Sequence, residues 1–426
     1  MGISFLDHIF KPFFILGVVI FLSFIAKESL ATGNIHFESL KIMPSITVGR
    51  EYSDNYFPRD FKMVIGQDGK EKIVKIKTAE SVVKIKPSLD FLLPFGQNSF
   101  NLHYELNSYN FQDLKKYDTN NHAIGANLEW HFISGLTAKV SDWSTIAAAS
   151  IPVHIYEDVR HYHDNKLSVI ASYELGRRYT SEMQFDNSFI RWQENQFKQD
   201  NTNDKMITSR ILYQIMPKTF IGFEYAHERY NRKDLPGENT DYTAHDYWVI
   251  MKFDDPTGRL NGQLKAGIQN LVYDDKTLNT GNNFFGFNAD LTFNKSKYTS
   301  IVFSGQRFQA TTGVVTEDAQ YGASFTNTML SLGLTHKFTY KISGTVNFAY
   351  TELEFNTEGS ATADGTTQAM SMQRKDNEKK WGGELNYQMR DWLGFKVKYI
   401  HSDHNSNVPQ EAFKRNQFMT EISFKF

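Results

Sequence analysis

Phe418-Met-Thr-Glu-Ile-Ser-Phe-Lys-Phe426, the last stretch of the chain, decides the fold. Phe418, Ile422, Phe424 and Phe426 share one side of an extended strand with the smaller Thr420. Met419, Glu421, Ser423 and Lys425 share the other, because successive side chains in a strand point to opposite faces. One side is apolar and the other mostly wet, and the alternation runs to an aromatic final residue. A bacterial outer-membrane barrel needs such a strand, with lipid outside and water inside. An amphipathic edge strand of a soluble sandwich would read the same way over so short a span. The rest of the sequence must decide.

The period of two recurs along the chain. Val83, Ile85, Pro87, Leu89 and Phe91 alternate with Lys84, Lys86, Ser88 and Asp90. Ile124, Ala126, Leu128, Trp130 and Phe132 alternate with Ala123, Gly125, Asn127, Glu129 and His131. Leu385, Tyr387 and Met389 stand opposite Glu384, Asn386, Gln388 and Arg390. A helical period would scatter these residues around an axis. The pattern predicts strands over 44–53, 82–93, 98–108, 121–132, 135–145, 165–175, 181–192, 205–216, 218–229, 242–253, 259–270, 283–294, 297–308, 326–338, 340–353, 380–390, 392–402 and 415–426. Most exceed the roughly 5–6 residues of soluble strands and reach the 9–11 or so of a tilted membrane strand.

Loop lengths carry a separate signal. The even connections are tight, as at Pro94-Phe95-Gly96-Gln97, Met216-Pro217-Lys218 and Asn294-Lys295-Ser296. The odd ones, including 54–81, 109–120, 146–164, 309–325 and 354–379, are longer, and apart from 146–164 they are polar. Sorting short turns to one end and long loops to the other matches the periplasmic and extracellular ends of an outer-membrane barrel. In hydrocarbon an unpaired backbone group costs several kcal/mol, so the first strand must pair with the last. The expected fold is therefore all-β: a transmembrane antiparallel up-and-down β-barrel of about 18 strands, or 16 if the segments near 44–53 and 135–145 fail.

Composition agrees. Aromatic content is 15%, with 35 Phe and 21 Tyr, while hydrophobic residues make up only 40% of the 426. Mean hydropathy is -0.46. Half-polar, half-lipid walls with aromatic girdles give such numbers. Net charge is -2, which gives no basic footprint for nucleic acid. There is no cysteine, so disulfides and thiolate metal sites are excluded. Lys11, the apolar run 12–26 and Ser29-Leu30-Ala31 read as a secretion signal over 1–31, with the barrel over 32–426. The run falls short of the ~20 residues of a spanning helix.

The inward face is where a site belongs. Pore-lining candidates are Lys84, Lys86, Asp90, His103, Glu105, Glu129, His131, Arg210, Lys265, Asp290, Arg307, Glu384, Arg390, Lys396 and Lys398. A strongly ion-selective pore would carry rings of one sign, and both signs are present here. The mixture implies either mutual pairing within a wet barrel or a hydrophilic path for a neutral or mixed-charge solute such as an oligosaccharide. The connection 146–164 is apolar for an extracellular loop and predicts a constriction, an extended fifth strand or packing on the rim. His154, His161 and His163 lie in it, but such spacing defines no metal geometry, and no cofactor is expected. None of the nucleophile-elbow, zinc-helix, phosphate-loop or dinucleotide motifs occurs, so no enzyme is expected, although the groups of a barrel-embedded hydrolase would converge only in space. Phe418, Ile422, Phe424 and Phe426 form the expected membrane-assembly signal, with outer-membrane lipid and the barrel-assembly machinery as partners.

The segment Ser39-Leu-Lys-Ile-Met-Pro-Ser-Ile-Thr-Val-Gly-Arg-Glu-Tyr-Ser-Asp-Asn-Tyr-Phe57 resembles the opening of the putative beta-barrel porin 2 proteins. Pro44 leads the strand, and Tyr52-Ser53-Asp54-Asn55 supplies the Tyr-x-Asp-Asn segment. Val83-Lys-Ile-Lys-Pro-Ser-Leu89 is similar as well. The resemblance implies an outer-membrane barrel for hydrophilic solutes linked to exopolysaccharide export, with a periplasmic polysaccharide-export apparatus as partner. The alternative is a structural or adhesive barrel that works through loops 54–81 and 354–379.

Overall fold

The computed structural model describes residues 35–426, apart from 38, 57–60, 66–70, 76–77, 151–158, 177, 196–197, 199–200, 233–240, 254, 256–257, 277–282, 312–323, 364–365 and 409–410. The expected signal over 1–31 lies outside the described residues. Eighteen antiparallel strands form one sheet closed on itself. In chain order they are β1 (Leu40–Ser53), β2 (Glu80–Phe95), β3 (Asn98–Phe111), β4 (Thr119–His131), β5 (Leu136–Ser150) and β6 (Val159–Leu175). Next come β7 (Tyr179–Trp192), β8 (Thr202–Met216), β9 (Thr219–Arg232), β10 (Tyr242–Phe253), β11 (Leu260–Tyr273) and β12 (Asn283–Ser296). The last six are β13 (Thr299–Thr311), β14 (Ser324–Lys337), β15 (Ile342–Ala363), β16 (Thr366–Arg390), β17 (Leu393–Ser406) and β18 (Phe413–Lys425). A short strand, Ile35–Phe37, folds back on the start of β1. The larger of the two expected strand counts holds.

Every strand pairs with its sequence neighbours, and β1 closes the cylinder on β18 from Ser45↔Lys425 to Ser53↔Gln417. The Tyr-x-Asp-Asn segment fastens the upper end of this seam. Asn416 donates from its backbone and side-chain nitrogens to the Asp54 carboxylate at 2.7 and 2.8 Å, and Asn55 Nδ2 donates to the Lys414 carbonyl at 3.1 Å. At the lower end the Phe426 amide donates to the Pro44 carbonyl at 2.9 Å. Phe418, Ile422 and Phe424 share the outward side of β18, the side on which Val48 and Tyr52 stand exposed on β1. Changing Phe426 to Asp places a charge at the seam. It is expected to lower folded barrel in the outer membrane several-fold, read by heat-shifted gel mobility. Wild-type levels would contradict the assembly role.

Directly paired residues of adjacent strands point to the same side, so the register carries one side around the whole wall. The side bearing Glu51, Lys84, His103, Glu129, Arg210, Glu224, Lys265, Glu384 and Glu421 is crowded, with Glu224 7% exposed. The other side bears Ile124, Ile211, Phe223, Val249, Phe285 and Val346, and Phe223 is 72% exposed. Crowding belongs to the concave face of a cylinder, so the polar side is the lumen wall.

Outward aromatics mark both membrane edges. Trp130, Phe132, Tyr179, Phe293 and Trp392 stand near the tight-turn end. Toward the long loops, outward tyrosines and a tryptophan sit beside histidines: Tyr104 with His122, Tyr225 with His245, and Trp381 with His401. About eight residues separate the two belts, roughly 20 Å at a barrel's strand tilt.

Above the outer belt the sheet runs on where loops were expected. β15 and β16 are 22 and 25 residues long and absorb most of 354–379. In the expected plug 146–164, residues 146–150 pair with 159–163 and simply lengthen β5 and β6. Of the three expected readings, strand extension is the one observed. His154 lies outside the described residues. Within 54–81 a separate hairpin joins Phe61–Ile65 to Glu71–Lys75.

Candidate functional site in the barrel lumen

Inward charges meet because the register sets them one strand apart. At the seam, Glu51 takes Lys84 from β2, and Gln417 Nε2 of β18 donates to its other oxygen at 2.9 Å. Lys84 Nζ also lies 5.4 Å from the Tyr109 ring centre. Lys86 stands inward beside Thr47, and Lys396 reaches Glu421 at 2.6 Å. Lys398 faces Glu384 across the β16–β17 ladder, and Asn386 Nδ2 donates to Glu384 at 2.7 Å.

Further round, the His103 ring meets Asp90 at 2.7 Å and stacks on Trp143 at 5.4 Å. Trp143 fits only because Gly125 of β4 faces it. A Cβ there would lie 2.2 Å from the indole, so Gly125 is a packing requirement. Asn107 donates to Glu105 at 2.5 Å. Glu129 accepts Lys139 at 3.0 Å and lies 3.2 Å from His131.

The densest group spans β7 to β11. Arg210 donates to Glu182 on one side and, through Nε at 2.5 Å, to Glu224 on the other. Lys265 Nζ, from β11, reaches both Glu224 oxygens at 2.9 Å. On the intervening strand β10, Trp248 faces Glu224 and Ile250 faces Lys265, so the lysine reaches across one strand. Two cations thus share two carboxylates, from four of these five strands. Asp290 faces inward beside Gln263 and Ser304.

Two of the expected lining residues are placed differently. Arg307 pairs with Phe287 and Thr328, in the row that includes Gly305 and Leu330, so its backbone position is outward. Its guanidinium lies 4.8 Å from the Phe284 ring centre. Ile301 and Phe303 have the same parity as Arg307 in the sequence and signal this outward row. Arg390 belongs to the tight-turn rim, where it pairs with Leu393 across a bulge. The remaining candidates stand on the lumen wall.

Above the outer belt, a cluster not foreseen in the sequence ties β16 to the segment after β17. Arg374 and Asp376, 0% and 1% exposed at their side chains, pair at 2.6 Å, and Arg374 also reaches Glu411 at 3.2 Å. Among the described residues no group of three or more potential ligands could hold a metal ion. His161 instead meets Glu194, and His163 meets Ser144, both on the outward side.

The family model for putative beta-barrel porin 2 matches residues 164–426, from β6 to the final strand. The opening segments that carry the resemblance, 39–57 and 83–89, lie before this match. No curated protein matches the sequence. Among solved structures, the chain is similar to the outer membrane protein opdK from Pseudomonas aeruginosa, at 10% identity and a TM-score of 0.44, over 90% of this chain and 99% of that one. It is also similar to OpdQ, at 12% and 0.45 over 92% and 98%, and to OccK2 (OpdF), at 11% and 0.46 over 92% and 99%, both from the same organism. With the larger part of its length matched by the family model, the chain belongs to the putative beta-barrel porin 2 family and is a porin-like barrel of the bacterial outer membrane.

Proposed function

We propose that the barrel gives passive passage to hydrophilic solutes through its lumen. The supporting observation is the wall itself: it carries inward charges of both signs, many of them paired with one another, as in Glu182–Arg210–Glu224–Lys265 and Lys396–Glu421, beside carboxyls such as Asp204, Glu228 and Asp246 that have no ion pair among the described residues. Such a wall offers hydrogen-bonding groups without a ring of one sign, which suits neutral or mixed-charge solutes. Fold does not fix function, so the reading needs a direct test. Purified protein in a planar bilayer is expected to give discrete conductance steps with weak preference between small cations and anions. Absence of current from folded protein would overturn it.

The finer assignment is export of a nascent exopolysaccharide, handed over by a periplasmic export apparatus. The family resemblance supports it. Deleting the gene should abolish or sharply reduce surface polysaccharide, and unchanged secretion would leave a general porin. A loop-based adhesive role draws support from the β15–β16 hairpin, which continues well above the outer aromatic belt. Trimming the hairpin tip should then alter surface attachment and spare conductance.

A further inference from the structure

At the tight-turn end of the lumen, a cavity of ≈ 1100 Å³ opens beside the β14–β15 turn. Its walls are mostly inward residues of β1 and β14 to β18, with His336, Ile342, Tyr387 and Phe395 of the outward row at its edge, and its rim is the β12–β13 and β14–β15 turns. Four lysines line it, Lys297, Lys337, Lys341 and Lys396, against one carboxylate, Glu421. Glu421 is already taken by Lys396 at 2.6 Å. Lys297, Lys337 and Lys341 therefore face the cavity with no ion pair among the described residues.

Local structure fixes this arrangement. Thr339 Oγ1 accepts the amides of Lys341 and Ile342 at 3.1 and 3.0 Å, which shapes the β14–β15 turn. The Lys297 and Lys341 ammonium groups lie 4.9 and 5.5 Å from the ring centres of Tyr298 and Tyr340, so each cation rides on an aromatic neighbour. Gly394 keeps the wall low, since a Cβ there would come within 2.8 Å of Ser423 Oγ and 3.2 Å of Gln388 Oε1. Asn386, Gln388 and Ser423 add neutral donors and acceptors. Elsewhere on the lumen wall the lysines mostly meet carboxylates, and here three do not.

We propose that this mouth is a binding site for a carboxylate- or phosphate-bearing solute, most simply an acidic oligosaccharide. The volume exceeds the roughly 300–1000 Å³ of drug-sized pockets and has room for several sugar units. Like charges converging on a concave wall raise the local concentration of a counter-charged solute, and salt weakens the effect. The inference rests on the lumen being a solute path, since the site then loads that path from the periplasm.

Calorimetry on the folded full-length chain in detergent tests it, with trigalacturonate as probe, neutral maltotriose as comparison and inorganic phosphate as competitor. Trigalacturonate should bind at least tenfold more tightly than maltotriose and weaken several-fold between low and physiological salt. The Lys337→Gln/Lys341→Gln double variant should lose at least tenfold, while Lys205→Gln, on the outward side of β8, should bind as wild type. Displacement by millimolar phosphate assigns the site to phosphate as well as carboxylate, and no displacement assigns it to carboxylate. Equal affinity for the charged and neutral sugars, or no binding, overturns the inference without any variant. So does wild-type affinity in a double variant whose gel mobility shows a folded barrel. Binding without bilayer current would defeat the pore reading alone, whereas current without charge discrimination would defeat this site alone.

Discussion

Arg374→Met is expected to destabilise the extracellular ends of β16 and β17 by roughly 3–5 kcal/mol, the cost of stripping one partner from a buried ion pair. The Arg374 side chain is fully buried, with Nε and Nη2 donating to Asp376 Oδ2 at 3.0 and 2.6 Å. Its guanidinium also lies 4.7 Å from the Phe355 ring centre. Methionine keeps most of the volume, so the loss falls on the two carboxylates, Asp376 and Glu411, left facing each other away from water. Hydrogen-exchange protection at 374–378 and 402–406 should fall accordingly. Replacing all three charges together, Arg374→Met with Asp376→Leu and Glu411→Gln, should recover much of it, because an apolar group costs less there than an unpaired charge.

Acid should mimic the single change. Burial opposes ionisation of Asp376, but hydrogen bonds from His404, Arg374 and Ser406, together with the Arg374 charge, outweigh it. They hold the carboxyl well below its usual range. A carboxyl depressed in the folded state stabilises fully above its unfolded value, about 4. The contribution is lost as pH falls from there toward the folded value. Protection in this segment should therefore be flat from neutral pH to about 5 and decline below about 4. Protection in Arg374→Met that matched wild type at neutral pH would contradict the role given to the cluster.

Leu128→Arg should cost roughly 2–4 kcal/mol, the penalty for a charge near the middle of a barrel's lipid-facing wall. Leu128 pairs with Phe100 on one side and Val140 on the other, so its position belongs to a continuous outward row. Asn127→Arg, one residue away, enters the lumen beside Asn101 and Ser141. It should leave folding close to wild type and instead shift conductance toward anions. Unfolding in urea from lipid vesicles measures the first effect, and reversal potential in a salt gradient measures the second. Equal destabilisation by both would deny that the two sides of β4 meet different solvents.

Within the membrane, the sequence is a close guide to the fold because each strand there separates lipid from water. Val83, Ile85 and Phe91 could face only one way, and all eighteen strands were legible. Above the outer belt both sides of the sheet are wet, so alternation carries no signal. Asn356-Thr-Glu-Gly-Ser-Ala-Thr-Ala-Asp-Gly-Thr-Thr367 reads as loop although β15 and β16 run through most of it. Ile146-Ala-Ala-Ala-Ser150 reads as a plug because it is apolar, yet it extends β5.

Lumen chemistry was legible as membership and not as partnership. Lys84, Arg210, Lys265 and Lys396 were placed by parity, while their partners follow from register, which single strands do not reveal. Arg307 shows the opposite error, in which its charge outweighed the parity it shares with Ile301 and Phe303. Arg374, Asp376 and Glu411 come together only once β16 and the segment after β17 are folded side by side, and no spacing announces them.

Because the chain contains no cysteine, a single introduced thiol can report the solvent at any chosen position. Spin labels attached to Ala123→Cys, Ile124→Cys, Ala126→Cys, Asn127→Cys, Leu128→Cys and Glu129→Cys, each in lipid vesicles, should sort strictly by parity. Positions 124, 126 and 128 should collide with dissolved oxygen, and 123, 127 and 129 with a water-soluble nickel complex. A uniform response along β4, or labels at 127 and 128 sensing the same medium, would contradict a sealed wall with oil on one side and water on the other.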